Sequence, residues 1–297
     1  MPMKTISRRS FARNMAVLAG AGLLSFQAGC RRRAASSLIG GVQIGVQSYS
    51  FRDRSFEDAI DAMVEVGIDS CELWQGHIEP RGLEPAELRR WRLETPLSFF
   101  EGKGLKLEQA GIRLNAYNYS FRKSMSPEEV DRGFLMARAL GTDVITASAR
   151  PSLASLIDSF AGKHRIRVGM HNHAHGDKED VFDGPQDFAA AMEGNSPYIC
   201  VNLDIGHFVA AGFDPVDYID RHHQRIVALH LKDRKKGLGP RSPVLKFGTG
   251  DTPIREVLQQ LKAGKYPIPA NIEHEIKGQP SLEGVRESLE YCRQALA

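Results

Sequence analysis

The apolar run Ile166-Arg167-Val168-Gly169-Met170 ends in His171-Asn172-His173-Ala174-His175, three imidazoles at every second position. In a β-strand alternate side chains share a face, so Gly169, His171 and His173 point one way while Val168, Met170 and Asn172 point the other. Three later apolar runs stop in the same chemistry: one at Asp204 with His207 close behind, one at His230 followed by Lys232-Asp233, and one at Glu273 followed by Glu275. Together His171, Asp204, His230 and Glu273 offer two imidazole nitrogens and two carboxylates. That set suits zinc, manganese, iron or cobalt more than calcium. Charged side chains are costly to bury unless paired or metal-bound, so four of them at matched strand ends are better explained by one shared cation than by four separate accommodations.

Such residues, far apart in sequence, meet only if the strand ends converge. The architecture that gathers the C-terminal ends of many strands is the (β/α)8 barrel. From Val42 onward, short apolar runs alternate with longer segments of helical period, which predicts βα units around a parallel sheet. Strand and helix pairs are expected at 42–50 and 56–66, at 68–74 and 84–110 with a break near Pro96, at 112–118 and 126–140, and at 143–148 and 152–162. The remaining four are 165–171 with 185–193, 199–204 with 214–221, 225–231 with 253–263, and 268–273 with 281–296. Eight pairs joined by right-handed crossovers make a single (β/α)8 TIM barrel over 42–297. Segments leaving strands are longer than those entering them, notably 75–84, 172–184 and 232–252, so binding residues are sought just after each strand.

The first 33 residues differ from the rest. Ser7-Arg8-Arg9-Ser10-Phe11 precedes an apolar, glycine-containing run from Met15 to Phe26 that is too short to span a bilayer as a helix. This is similar to a twin-arginine export signal, which predicts export by that route to the periplasm or, as a lipoprotein, to the membrane. Cys30 stands where a lipoprotein signal places its modified cysteine, although Gln27 occupies the position that such signals usually give to leucine; residues 34–41 are expected as a linker. The leader holds seven of the 39 Lys and Arg residues and none of the 36 acidic ones, which leaves residues 34–297 at −4. The globular part therefore has no net attraction to nucleic acid. Outside the leader, Cys71, Cys200 and Cys292 form neither a disulfide framework nor a CxxC metal site.

Leu203-Asp204-Ile205-Gly206-His207, His230-Leu231-Lys232-Asp233 and Ile272-Glu273 resemble the sixth, seventh and eighth strand ends of the sugar isomerase/epimerase superfamily. These are the xylose-isomerase-like barrels, which include ketose 3-epimerases, inosose dehydratases and the apurinic endonuclease family. Ile44-Gly45-Val46-Gln47-Ser48-Tyr49-Ser50-Phe51-Arg52 is similar to the first strand of that superfamily, and Cys71-Glu72-Leu73-Trp74-Gln75-Gly76-His77 to its second. The resemblance implies a divalent metal held by Asp204, His230 and Glu273, with His207 touching substrate. Where the epimerases carry a fifth-strand glutamate within Glu-Asn-His, this chain has His171-Asn172-His173. Two-base epimerisation needs a carboxylate on each face of the substrate, so the change favours chemistry with one base.

Base candidates are Glu273, His207 and Glu72. His77, His173, Lys232, Tyr49, Trp74 and Glu275 are candidate substrate contacts, and Phe51, Tyr117 and Tyr119 are further aromatic candidates for a sugar pocket. Lys232 and Asp233 are candidates for a salt bridge beside the metal. Gly248-Thr249-Gly250-Asp251-Thr252-Pro253 precedes a helix and is a candidate anion site, with Thr252 equally suited to be a plain N-cap. The expected activity is metal-dependent proton abstraction α to the carbonyl of a sugar or keto-sugar, giving an isomer or epimer, or alternatively lyase, hydratase or hydrolase chemistry on keto-sugars or keto-glycosides. An endonuclease and a non-catalytic sugar-binding barrel are the lesser alternatives. The expected partner is a small sugar, with a membrane only through Cys30, and a homo-oligomer is left open.

Overall fold

The computed structural model describes residues 33–176 and 178–297. The twin-arginine motif and Cys30 lie outside the described residues.

Eight parallel strands follow one another around the sheet, and the last pairs back with the first to close a barrel. They are β1 (Val42–Gln47), β2 (Ser70–Trp74), β3 (Arg113–Asn118), β4 (Val144–Ala147), β5 (Arg167–His171), β6 (Ile199–Asp204), β7 (Ile226–Leu231) and β8 (Ala270–Ile272). Around them lie α1 (Phe56–Val66), α2 (Pro85–Glu94), α3 (Leu97–Gln109), α4 (Pro127–Leu140), α5 (Ala154–His164), α6 (Pro185–Met192), α7 (Ile205–Ala210), α8 (Pro215–His222), α9 (Ile254–Gly264) and α10 (Ser281–Leu296). The break expected near Pro96 separates α2 from α3. α7 was not anticipated, because it begins directly on the last residue of β6. Among the described residues no helix is long and apolar enough to cross a membrane.

Local chemistry sets the helix limits. Ser55 accepts a hydrogen bond from the Asp58 N–H to start α1, and Gly67, at φ 84°, ends it in the left-handed region that favours glycine. Phe56, Ile60 and Met63 recur on one side of α1 and are buried against the barrel, each contributing about 1.5–3 kcal/mol. Truncating Met63 to Ala would cost about 2–5 kcal/mol.

The strand interiors are layered. Val168, Met170, Val201, Leu203, Leu229 and Leu231 belong to the apolar shell between strands and helices. Inside the barrel Ala116, Val144 and Cys200 form a small separate cluster with Val227, which a register shift between β6 and β7 turns inward out of step with Leu229 and Leu231. A Cβ on Gly169 would come within 2.5 Å of Val227 and 3.1 Å of the Asn202 backbone nitrogen, so only glycine lets β5 and its neighbours approach this closely. Climbing β6 from Cys200, the inward positions are Asn202 and then Asp204, so the interior passes from apolar to polar toward the C-terminal ends of the strands.

Residues 34–41 are folded rather than a linker. Leu38 and Ile39 pair antiparallel with Gln43 and Val42 across the turn Gly40-Gly41, where both glycines have positive φ. Ser37 is buried, and its hydroxyl lies 2.6 Å from Ile44 O and 2.7 Å from Asp69 Oδ1, two acceptors for its one proton. The Arg/Ala/Ser tract leading into the segment suggested a free connector, but the Ser37 hydroxyl finds partners near the starts of β1 and β2.

Candidate metal centre

Four strand ends deliver His171, Asp204, His230 and Glu273 to one place, with one ligand atom from each lying within 4.8 Å of all the others. All four residues are buried. Asp204 ends β6 and also caps α7, its Oδ1 accepting from the His207 N–H at 2.7 Å, which leaves Oδ2 to face the cluster. The glycine of Asp204-Ile205-Gly206-His207 makes this junction possible, since a Cβ there would lie 2.5 Å from Lys232 O and 2.8 Å from Lys232 Cβ. Asn172 locks β5 to β6 from the outward face, donating to Asp204 O and accepting from the Asp204 N–H.

Beneath the cluster Glu72 is fully buried. Its Oε2 accepts from His230 Nε2 at 2.8 Å and Asn271 Nδ2 at 3.0 Å, and its Oε1 from Gln47 Nε2 at 2.8 Å, Thr146 Oγ1 at 2.6 Å and Asn118 Nδ2 at 3.4 Å. Glu72 is therefore not a base in contact with substrate: it sits mid-strand, one layer below the cleft, with both oxygens engaged. With the Nε2 proton of His230 committed to Glu72, Nδ1 would be the atom this ring offers to a metal, the carboxylate–histidine arrangement that orients metal-binding imidazoles. Asn202 is the second supporting group that the sequence did not disclose, its amide lying 3.4 Å from His171 Nδ1 and 3.1 Å from His230 Nε2. The Asn202 atom placed toward the rings is Nδ2; with the amide turned, its oxygen, otherwise buried without a partner, would accept from His171 Nδ1–H when Nε2 of that ring serves as the ligand, while the His230 Nε2–H is already given to Glu72.

Asp204 Oδ2, His230 Nδ1 and Glu273 Oε2 are buried and make no well-aligned hydrogen bond, with His230 Nδ1 3.1 Å from Glu273 Oε2. Lys232 Nζ approaches two of these atoms, at 3.1 Å from Asp204 Oδ2 and 2.8 Å from Glu273 Oε2, and lies 2.6 Å from Glu275 Oε2. Uncompensated lone pairs converging in a buried pocket are costly unless a cation takes them. The donor set and its convergence fit a divalent metal of the zinc, manganese, iron or cobalt kind.

Burial and neighbouring charge act in opposite directions across the cluster. Burial lowers His171 to about 3 and His173 to about 2, and drives His207 well below its ordinary value, so these rings stay neutral. Burial would lower His230 as well, but the flanking Glu72 and Glu273 carboxylates raise it well above its usual value. Burial likewise opposes charge on Lys232, and Asp204, Glu273 and Glu275 outweigh it, holding the ammonium charged.

A cleft of about 330 Å³ opens above the cluster, and its lining includes Tyr49, Trp74, His173, His207, Lys232 and Glu275. Tyr49 and Trp74 meet edge to face at 4.9 Å and form an aromatic wall. His207 is at the cleft but is not suited to be a base. Arg234 Nη1, which can only donate, contacts its Nδ1, so the hydrogen resides on Nε2, 3.9 Å from Asp204 Oδ2. The Lys232 ammonium stands 3.3 Å from that nitrogen with its own protons turned to the three carboxylates.

Other candidates fall elsewhere. His77 has both ring nitrogens occupied, Nδ1 by Ser48 Oγ at 3.0 Å and Nε2 by Phe51 O at 3.2 Å, and it supports Trp74 edge to face rather than touching the cleft. Phe51, Tyr117 and Tyr119 are fully buried core residues. The 248–253 segment is not an anion site, because Asp233 already accepts from the Gly248, Gly250 and Thr252 N–H groups. For the same reason Asp233 does not pair with Lys232. Thr252 does not cap α9: its hydroxyl accepts from the Arg234 N–H. Cys71, Cys200 and Cys292 are buried and free.

The chain belongs to the xylose isomerase-like TIM barrel family, whose model matches residues 106–295. Over 255 residues it is 22% identical to an inosose dehydratase of Mesomycoplasma hyopneumoniae, which covers 77% of this chain and 75% of that protein. Among solved structures, the probable 3-DHS dehydratase AsbF of Bacillus anthracis shares the fold with a TM-score of 0.62 at 16% identity, over 84% of this chain and 98% of that one. The IolI protein with a bound zinc atom does so with a TM-score of 0.64 at 12% identity, over 86% and 98% of the two chains.

Proposed function

We propose that this protein is a divalent-metal-dependent enzyme that removes the proton α to the carbonyl of a sugar or keto-sugar. The observation that carries this is the convergence of Asp204 Oδ2, His230 Nδ1 and Glu273 Oε2, buried and without well-aligned hydrogen bonds, at the floor of a cleft of monosaccharide scale. The inosose dehydratase relative and the dehydratase of the same fold support action on a small polyhydroxylated carbonyl compound, and the zinc-bound neighbour supports the metal. Held by His171, Asp204, His230 and Glu273, a divalent cation would act as a Lewis acid on a carbonyl oxygen. Glu273 is the base, kept ionised by Lys232 and His230, with Glu275 beside it on the same side of the cleft. His207 offers its Nε2–H to a substrate hydroxyl or carbonyl, and Tyr49 and Trp74 cover an apolar face of the ring.

Elimination or hydration is favoured over epimerisation. The β5 side of the cleft presents His171 and His173, which burial keeps neutral, where a second carboxylate would be needed to work the other face. Incubating the metal-loaded protein with keto-sugars in D2O tests this. Exchange on one face or alkene formation is the expected result, and efficient interconversion of two epimers would sink the one-base assignment.

We also infer export by the twin-arginine route, with a free or oxidised sugar rather than a sugar phosphate as the substrate met outside the cytoplasm. Arg8 and Arg9 motivate this. Replacing both with Lys should strand precursor in the cytoplasm, and unchanged export would overturn it.

A further inference from the structure

The loop after β5 carries a His–Asp pair that has no part in the ligand cluster. His175 Nδ1 lies 2.6 Å from Asp183 Oδ1, while Asp183 Oδ2 accepts from the His175 N–H at 2.8 Å and the Gly176 N–H at 3.0 Å. The base of the loop is held too. Asp187, in the first turn of α6, accepts from the Asp183 and Gly184 N–H groups, and the His173 N–H donates to Phe182 O. Asp183 is thus an oriented, saturated carboxylate that commits Nδ1 of the imidazole and leaves Nε2 as its working end.

His175 lines a second cleft of about 550 Å³. This lobe shares Ser148, His171 and His173 with the 330 Å³ cleft over the metal cluster. The rings run from one lobe to the other, His171 to His173 at 4.6 Å between centroids and His173 to His175 at 5.1 Å. A substrate with two parts can therefore place one against the ligands and the other against His175. Of the three imidazoles in the second lobe, His171 and His173 are enclosed by the barrel, while His175 has 28% of its side chain exposed and its Nδ1 held by Asp183.

We propose that His175, oriented by Asp183, is the general acid that protonates the oxygen leaving from the carbon β to the substrate carbonyl, and that the second lobe binds the leaving alcohol or sugar of a keto-glycoside. The proposal rests on the α-proton abstraction assigned above. The base takes the proton from the α carbon, and that C–H pair becomes the C=C bond. The β C–O bond breaks with its pair on oxygen, and Nε2 gives that oxygen its proton, leaving neutral His175 bonded to Asp183. No oxidant or reductant is needed.

The test uses metal-loaded full-length protein, wild type and His175→Gln, with methyl and 4-nitrophenyl 3-keto-β-D-glucosides as probes. Exchange at C2 is read in D2O and cleavage is read separately; metal content and thermal unfolding verify the variant. The expected result is that His175→Gln retains metal and C2 exchange, loses about 100-fold or more of methyl glucoside cleavage, and loses only a few-fold with 4-nitrophenyl, whose leaving group needs no proton. Asp183→Asn should give a smaller loss with the same dependence on leaving group. Equal losses on the two probes, or none, would overturn the assignment of His175. Wild-type exchange without cleavage of either glycoside would overturn the leaving-group role and spare the α-proton chemistry. Wild type with neither activity would remove both.

Discussion

The two ends of the barrel interior both carry polar side chains, but they differ in how those groups are satisfied. At the N-terminal end, Asp69 accepts from the Ser37 N–H at 3.0 Å, the Ser37 hydroxyl at 2.7 Å and Gln43 Nε2 at 2.9 Å. Asn115 Nδ2 there donates to Ser70 Oγ and Asn271 Oδ1, both at 2.9 Å. At the C-terminal end, three acceptor atoms of Asp204, His230 and Glu273 face one another without well-aligned hydrogen bonds. The first set is satisfied by hydrogen bonds throughout, with Asn271 carrying it on to Glu72 beneath the cluster, so it supports structure. The second is a set of converging acceptors that only Lys232 approaches from one side, with room on the other for a cation.

The largest effects should come from cutting the open set. Asp204→Ala and His230→Ala should each reduce bound metal to background by elemental analysis and lower turnover by more than about 100-fold. Removing Asp204 should cost about 1 kcal/mol from the lost cap on α7, with a further loss from taking one partner away from the buried Lys232. Full metal content in either variant would erase the contrast between the two ends. Next in size is Glu72→Gln, which keeps the shape but weakens the hold on His230. Metal affinity measured by chelator competition should fall about 10–100-fold with folding intact, and an unchanged affinity would return Glu72 to the status of an ordinary buried carboxylate.

The smallest effect should come from the closed end. Asp69→Ala should leave metal content and turnover alone while lowering stability by about 1 kcal/mol in denaturant titrations, since the site is partly open to solvent. Burial opposes ionisation of Asp69, but its hydrogen bonds with Ser37 and Gln43 prevail and put it below its ordinary 3.8. Because the folded value is depressed, the stabilisation is complete above 3.8 and disappears as pH falls through the lower folded value, so wild type and variant should converge in strong acid. A gap that instead widens in acid would contradict this account.

Much of the site could be read from strand period alone. His171 alternates with Met170 along β5, and Asp204 with Leu203 along β6, so which residues face inward followed from local sequence. The loops leaving the strands, longer than those entering, located the functional end. Which inward layer each residue occupies was not legible. Glu72 and Glu273 are both acids near a strand end, yet one lies beneath the cleft with every oxygen occupied and the other lines it. Nothing within the strand Ser70-Cys71-Glu72-Leu73-Trp74 signals that difference beyond its mid-strand position.

The sequence by itself therefore determined the run of eight strand and helix pairs, the barrel, the inward side of the strand ends and the identities of the four residues that converge there. Only the tertiary structure decided that Glu72 and Asn202 support the rings, that Arg234 sets the tautomer of His207, that Asp233 fills the loop once considered for an anion, and that residues 34–41 fold onto the barrel. The physical reason is that side-chain alternation is a property of one strand, whereas height in the barrel depends on the stagger between neighbouring strands as the sheet closes. That stagger is fixed by packing among all eight strands and is written in no single segment.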